Sequence, residues 1–123
     1  MPRYRLARSA RTDIARILAA SAEQRSIESR RRYAALLSAA MRKAVTDSQG
    51  PPTRDRSDIS SGLRSLHLRH ARGKGLGARV RRPIHVLYYR TVELDLIEIV
   101  RVLHERMEPS RNLHLERFDE SED

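Results

Sequence analysis

"PIHVLYYRTVELDLIEIVRVLHE", residues 83–105, is the stretch whose reading decides the fold. It is dense in Ile, Val, Leu and Tyr, and "TVELD" interrupts it as a short turn. β-Branched and aromatic side chains fit a pleated, half-buried surface, so two strands joined as a hairpin are expected. In the second, Leu96, Glu98, Val100 and Val102 alternate against Ile97, Ile99, Arg101 and Leu103, which is the period of a strand. Arg81 and Arg82 stand directly before the first strand. The expectation is a rigid apolar support that presents guanidinium groups to a partner.

Working outward, "GLRSLHLRH" (62–70) alternates Leu63, Ser65, His67 and Arg69 against Arg64, Leu66, Leu68 and His70, predicting a further strand. "ARGKGLGARVRR" (71–82) reads as a flexible basic loop between strands. "DSQGPPTRDRSD" (47–58) is a loop, because Gly50-Pro51-Pro52 cannot continue a helix. Before it lie two helical patterns. Ala10, Ile14, Ile17, Leu18 and Ser21 mark one face, and Tyr33, Leu36, Leu37, Ala40, Met41 and Ala44 mark another. Ser9 is the expected N-cap of the first helix, with Asp13 in its first turn facing the positive end of the dipole. Only a few residues around Arg25 and Ser26 separate the patterns, so an antiparallel helical hairpin is expected. "RYRL" near the start alternates as a short half-buried strand that joins the sheet at its edge or beside the last strand.

Separate blocks of helices and strands indicate an α+β fold, with an N-terminal strand and the two-helix hairpin packed on a small, mainly antiparallel sheet. One domain is expected over residues 1–110. An acidic tail, 111–123, follows as a short helix turn or a disordered segment.

The charge narrows the partner. Net +9 arises from 25 basic and 16 acidic residues. From Ile59 to Val92 there is no acid, while Arg64, Arg69, Arg72, Lys74, Arg79, Arg81, Arg82 and Arg90 are all cationic. The closing "DESED" is as strongly acidic. A block this basic calls for a polyanion or an acidic protein beside it. Arginine supplies all but two of the basic residues, which suits planar bidentate contacts to carboxylate or phosphate. Cysteine is absent, so disulfide and thiolate chemistry are excluded and a cytoplasmic location is expected. No apolar run approaches the roughly 20 residues of a membrane helix, so no membrane partner is expected.

Motifs for chemistry are weak. "GKGLG" (73–77) lacks the spacing and the Lys-Ser/Thr ending of a phosphate-binding P-loop. His67 and His70 fall on opposite faces of a strand, so they cannot share a metal. No metal, cofactor, small-molecule substrate or catalytic residue is expected. RNA cleavage would need an acid/base pair beside cations. The available groups are Arg64, Arg69, Arg81, Arg82, Arg90, His67, His85, His104 and Glu105, and spacing alone picks out no such pair. A strand histidine is more often a satisfied packing residue than a catalyst.

"YRLARSARTDIARI", "GLRSLHLRH", "RRPIHVLYYR" and above all "IEIVRVLHERMEPSRNL" resemble the ParE branch of the RelE/ParE toxin superfamily. The likeness spans roughly residues 3 to 113, and its most specific part is the hairpin around "HVLYYR" and "IEIVRVLHERM". It implies a bacterial type II toxin, neutralised as a hetero-oligomer by an acidic antitoxin. ParE-type relatives inhibit DNA gyrase and stall replication; RelE-type relatives cleave mRNA on the ribosome, the alternative reading. The resemblance places His104 within a pattern common to ParE, not in a catalytic set. "ARGKGLGARVRR" is longer than the tight turn usual in the family, and "FDESED" runs past its usual end. The surface masked by antitoxin or presented to the target is expected to comprise Arg64, Arg69, Arg81, Arg82 and Arg90, extended by Arg101.

Overall fold

The computed structural model describes residues 3–113. The chain forms β1 (Arg3–Leu6), α1 (Arg8–Gln24), α2 (Ile27–Thr46), β2 (Arg54–Asp55), β3 (Leu63–His67), β4 (His85–Glu93), β5 (Leu96–His104) and a short α3 (Pro109–Asn112). The five strands lie in the order β1-β5-β4-β3-β2. Only β1 and β5 run parallel; the other neighbours are antiparallel. The α+β architecture read from the sequence is therefore the one observed.

The helical hairpin closes one face of the sheet. Ala10 of α1 and Leu36, Leu37, Ala40, Met41 and Ala44 of α2 pack against Leu66, Leu87, Tyr89, Ile97, Ile99 and Val102. Each fully buried Leu or Ile in such a core contributes about 1.5–3 kcal/mol. The α2 stripe is the one that the periodicity marked. Ser26 caps α2, its Oγ accepting from the Ser29 N–H at 3.0 Å. The opposite face carries a smaller cluster of Leu63, Tyr88, Val100, Leu103 and Leu113, with Ile59 and Val86 beside it. Leu113 shows that packed chain continues beyond residue 110; the expectation for 114–123 lies outside the described residues.

Six local expectations change. Helix α1 begins at Arg8 behind Ala7, not at Ser9, and no side chain caps it. The chain passes from β1 into α1 through one buried residue, and the Ala7 N–H is already spent on the Ile99 carbonyl at 3.0 Å. Asp13 consequently falls beyond the first turn. The alternation of β5 is reset by a bulge at Val100, because Tyr88 pairs with Arg101 while Tyr89 pairs with Ile99. The extra residue moves Val102 onto the helix-facing side with Ile97 and Ile99, and leaves Val100 and Leu103 on the other.

Strand β3 stops at His67, and Leu68–Ala71 form a 3₁₀ turn that buries Leu68. The loop "DSQGPPTRDRSD" contributes a two-residue edge strand, β2, that the proline-rich composition concealed. Nor is the basic loop 71–82 simply slack. It contains a 3₁₀ turn, Leu76–Arg79, packed on α2. A Cβ on Gly77 would come within 2.9 Å of Leu36 Cα, so only glycine permits this approach. The Arg72 Nη1–H also bonds the Arg81 carbonyl at 3.0 Å.

Candidate interaction surface

The sheet does not gather the six predicted arginines into one patch. Arg64 pairs in register with Tyr89, whose ring belongs to the helix-facing core, and its Nη2 donates to Thr53 Oγ1 at 2.8 Å. Arg90 lies on the other side and reaches Glu98 Oε1 through Nη2 at 2.6 Å and Nε at 3.1 Å. Arg5 takes the second oxygen of the same carboxylate at 3.1 Å. Arg69 is exposed on the 3₁₀ turn after β3, and Arg81 and Arg82 are exposed at the end of the basic loop.

Arg101 has a different position again. Its Nε and Nη2 grip Asp13 Oδ2 and Oδ1 at 2.7 and 2.8 Å, and its Nη1 donates to the Asn112 carbonyl. Asp13 Oδ2 also accepts the Val102 N–H at 2.9 Å. The reason is topological. β1 ends at Leu6 opposite Ile99, so the Val102 N–H beyond it has no strand to bond. A carboxylate from the second turn of α1 takes that role, and the bidentate guanidinium balances its charge. The two side chains are only 9% and 14% exposed. Arg101 thus joins α1, β5 and α3 internally, an assignment that strand alternation could not supply.

A groove of about 550 Å³ opens on the side of the sheet away from the helical hairpin. Its lining includes Arg54, Arg56, His67, Arg69, Tyr88 and Arg106. Of the predicted arginines only Arg69 is among the groove's lining; Arg54 and Arg106 were missed. Arg54 was assigned to a loop, and Arg106 lies beyond the last expected strand. His67 and His70 both line this groove, contrary to their expected separation, because the strand ends between them. Among the described residues no group of three or more His, Cys, Asp or Glu is arranged to hold a metal.

The imidazoles are largely committed. His67 Nδ1 accepts the Arg69 N–H at 3.1 Å, so its proton sits on Nε2, which bonds Glu105 Oε1 at 2.7 Å. That bond from His67 holds the Glu105 carboxyl below its ordinary range. His104 Nδ1 accepts the Arg106 N–H at 3.0 Å. His85 Nδ1 lies 2.6 Å from the Tyr33 hydroxyl, which also accepts the Ile84 N–H. Burial, reinforced by His104 and His67, pushes the His85 imidazole down to about 4. His70 is exposed, and desolvation followed by Arg69 lowers its pKa as well.

Together these features make a groove and rim rich in exposed arginine on the outer face of the sheet. No curated protein matches the chain. A family model described as the ParE toxin of type II toxin-antitoxin system, parDE, matches residues 4–109, from β1 into α3. With the fold and nearly the whole length in agreement, the chain belongs to the ParE toxin family of type II toxin–antitoxin systems.

Proposed function

We propose that this toxin acts by binding rather than by cleavage: it inhibits DNA gyrase, stalls replication, and is neutralised in the cytoplasm by an acidic antitoxin. The observation that carries this reading is the state of the sheet imidazoles. His67 and His104 each spend Nδ1 on a backbone N–H, and His85 is half-buried against Tyr33. A general base needs a free lone pair within reach of substrate; the Nδ1 lone pairs of His67 and His104 are already taken, and half-burial limits the reach of His85. Cations without such a base suit docking to an acidic macromolecule.

A second reading, ribosome-dependent mRNA cleavage, is favoured by one observation. The groove sets exposed His70 beside Arg69, and desolvation followed by Arg69 disfavours the charged form of His70. Induction of the toxin without antitoxin separates the readings. Gyrase inhibition gives an SOS response and filamentation while translated mRNA persists. Rapid loss of translated mRNA without an early SOS response supports cleavage instead. Unimpaired growth would show a chain retained only for operon regulation.

A further inference from the structure

The groove contains cations that the fold does not use. Arg54, Arg69 and Arg106 are exposed, and among the described residues their guanidinium groups make no hydrogen bond or ion pair. The acids alongside are already occupied. Glu105 holds His67, and Glu108 Oε1 accepts from the Ser110 N–H and hydroxyl at 3.3 and 3.1 Å. Arg56 is engaged as well, its Nε donating to Asp58 Oδ1 at 3.3 Å. What remains is a concave positive field with three unassigned forks, which suits carboxylate or phosphate.

Two further features select between those ligands. Nucleic acid bound at such a site would seek an aromatic face for its bases. Tyr88, the one Phe, Tyr or Trp ring in the lining, is 5% exposed and packed in the outer cluster, which leaves only the imidazoles of His67 and His70 as ring surfaces. The apolar lining is instead Pro52, Val86, Met107 and Pro109, with Met107 44% exposed. Such a surface accepts aliphatic side chains. One wall is also a strand edge: β2 pairs only with β3 at the border of the sheet, and Arg54 belongs to it. An extended peptide can add there by main-chain bonds while its alternate side chains enter the groove.

We propose that this groove is the docking site for an extended acidic peptide segment, read by Arg54, Arg69 and Arg106, with aliphatic residues between the acids resting on Val86 and Met107. Assigning that peptide to the antitoxin rests on the function proposed above; the site itself does not. The exposed loop arginines Arg81 and Arg82 are not part of the groove.

The test is fluorescence anisotropy on the full chain with a short synthetic peptide alternating Glu or Asp with Val and Leu. Two probes accompany it: the same peptide with Gln and Asn replacing the acids, and an oligothymidylate of equal charge. The acidic peptide should bind, weaken as salt rises, and lose about ten-fold or more in affinity in R54E, R69E or R106E. R81E/R82E should change it little. Gentler R69Q and R106Q, checked by circular dichroism for retained fold, should give the same order. Failure of the acidic peptide to bind, or equal binding of its neutral counterpart, overturns the proposal. Tighter binding of the oligonucleotide with the same arginine dependence also overturns it, in favour of a nucleic-acid site. The induction phenotype is independent of all these outcomes, so the groove and the gyrase reading fail separately.

Discussion

The arginines on the central strands and those on the basic loop and groove rim are chemically identical, yet their surroundings differ sharply. Arg90 and Arg101 meet carboxylates at 2.6–2.8 Å, from Glu98 and Asp13. Arg69, Arg81 and Arg82 stand in solvent, as do Arg54 and Arg106. The 59–92 block contains no acid, but folding brings acids to some of its members from outside. Glu98 reaches Arg90 across the hairpin, and α1 supplies Asp13 to Arg101 of the neighbouring segment. Charge counted along the chain therefore overstates what is available to a partner. Arg90 and Arg101 on the central strands are held by carboxylates within the fold, and the rim and loop arginines are the exposed ones.

The strongest challenge to that distinction is Asp13→Ala. It strands a mostly buried guanidinium and the Val102 N–H together, so a loss of about 3–5 kcal/mol is expected from urea denaturation. Replacing both partners, Asp13→Leu with Arg101→Met, should recover a large share of it. A loss of the size typical of a surface pair would mean that Arg101 is as available as the loop arginines.

A smaller effect tests whether strand imidazoles are equally committed. His85 titrates near 4 when folded, against 6.5 ordinarily. Between those values the unfolded chain binds the extra proton. Its contribution to stability is thus complete above about 6.5 and declines as pH falls toward 4. Urea midpoints at pH 7 and pH 5 should show a drop in the parent chain that is smaller in His85→Gln. An identical drop in both would assign the pH dependence to other groups, such as His70 or Glu105, whose values are also lowered.

The smallest effect on folding is expected from Arg81→Glu with Arg82→Glu. Both residues are exposed, so Tm should not move. Association with the acidic antitoxin should nevertheless slow and become less sensitive to salt, because long-range steering is reduced. Stopped-flow rates over a salt series check this, and unchanged on-rates would remove the loop from the encounter surface.

Much of the fold was legible because its evidence is periodic and local. The α2 stripe from Tyr33 to Ala44 appears as the residue pattern predicts, and so does the pairing of two strands as a hairpin, although β4 runs on to Glu93 and the turn is only Leu94 and Asp95. Both bury one face over several turns or strand residues, so each apolar position repeats the same information. Misreadings came where a single residue reset the geometry. One is the extra residue at Val100; another is the end of β3, which turns His70 into the groove beside His67. Of the candidate surface, Arg81 and Arg82 were recognisable as cations from loop composition, whereas Arg69 was read on a strand that ends two residues before it. Arg54 and Arg106 were not recognisable, because the groove is assembled from segments about 50 residues apart in sequence and no local pattern carries that proximity.

The sequence by itself determined the α+β class, the helical hairpin, four of the five strands and the excess of positive charge. Hydrophobic periodicity and composition are properties of neighbouring residues, and they survive without a three-dimensional frame. Only the tertiary structure decided which charges remain free. Pairing depends on which acid arrives within about 3 Å of which guanidinium, and for Asp13 and Arg101 that follows from β1 ending at Leu6, leaving an edge N–H that a helix must satisfy.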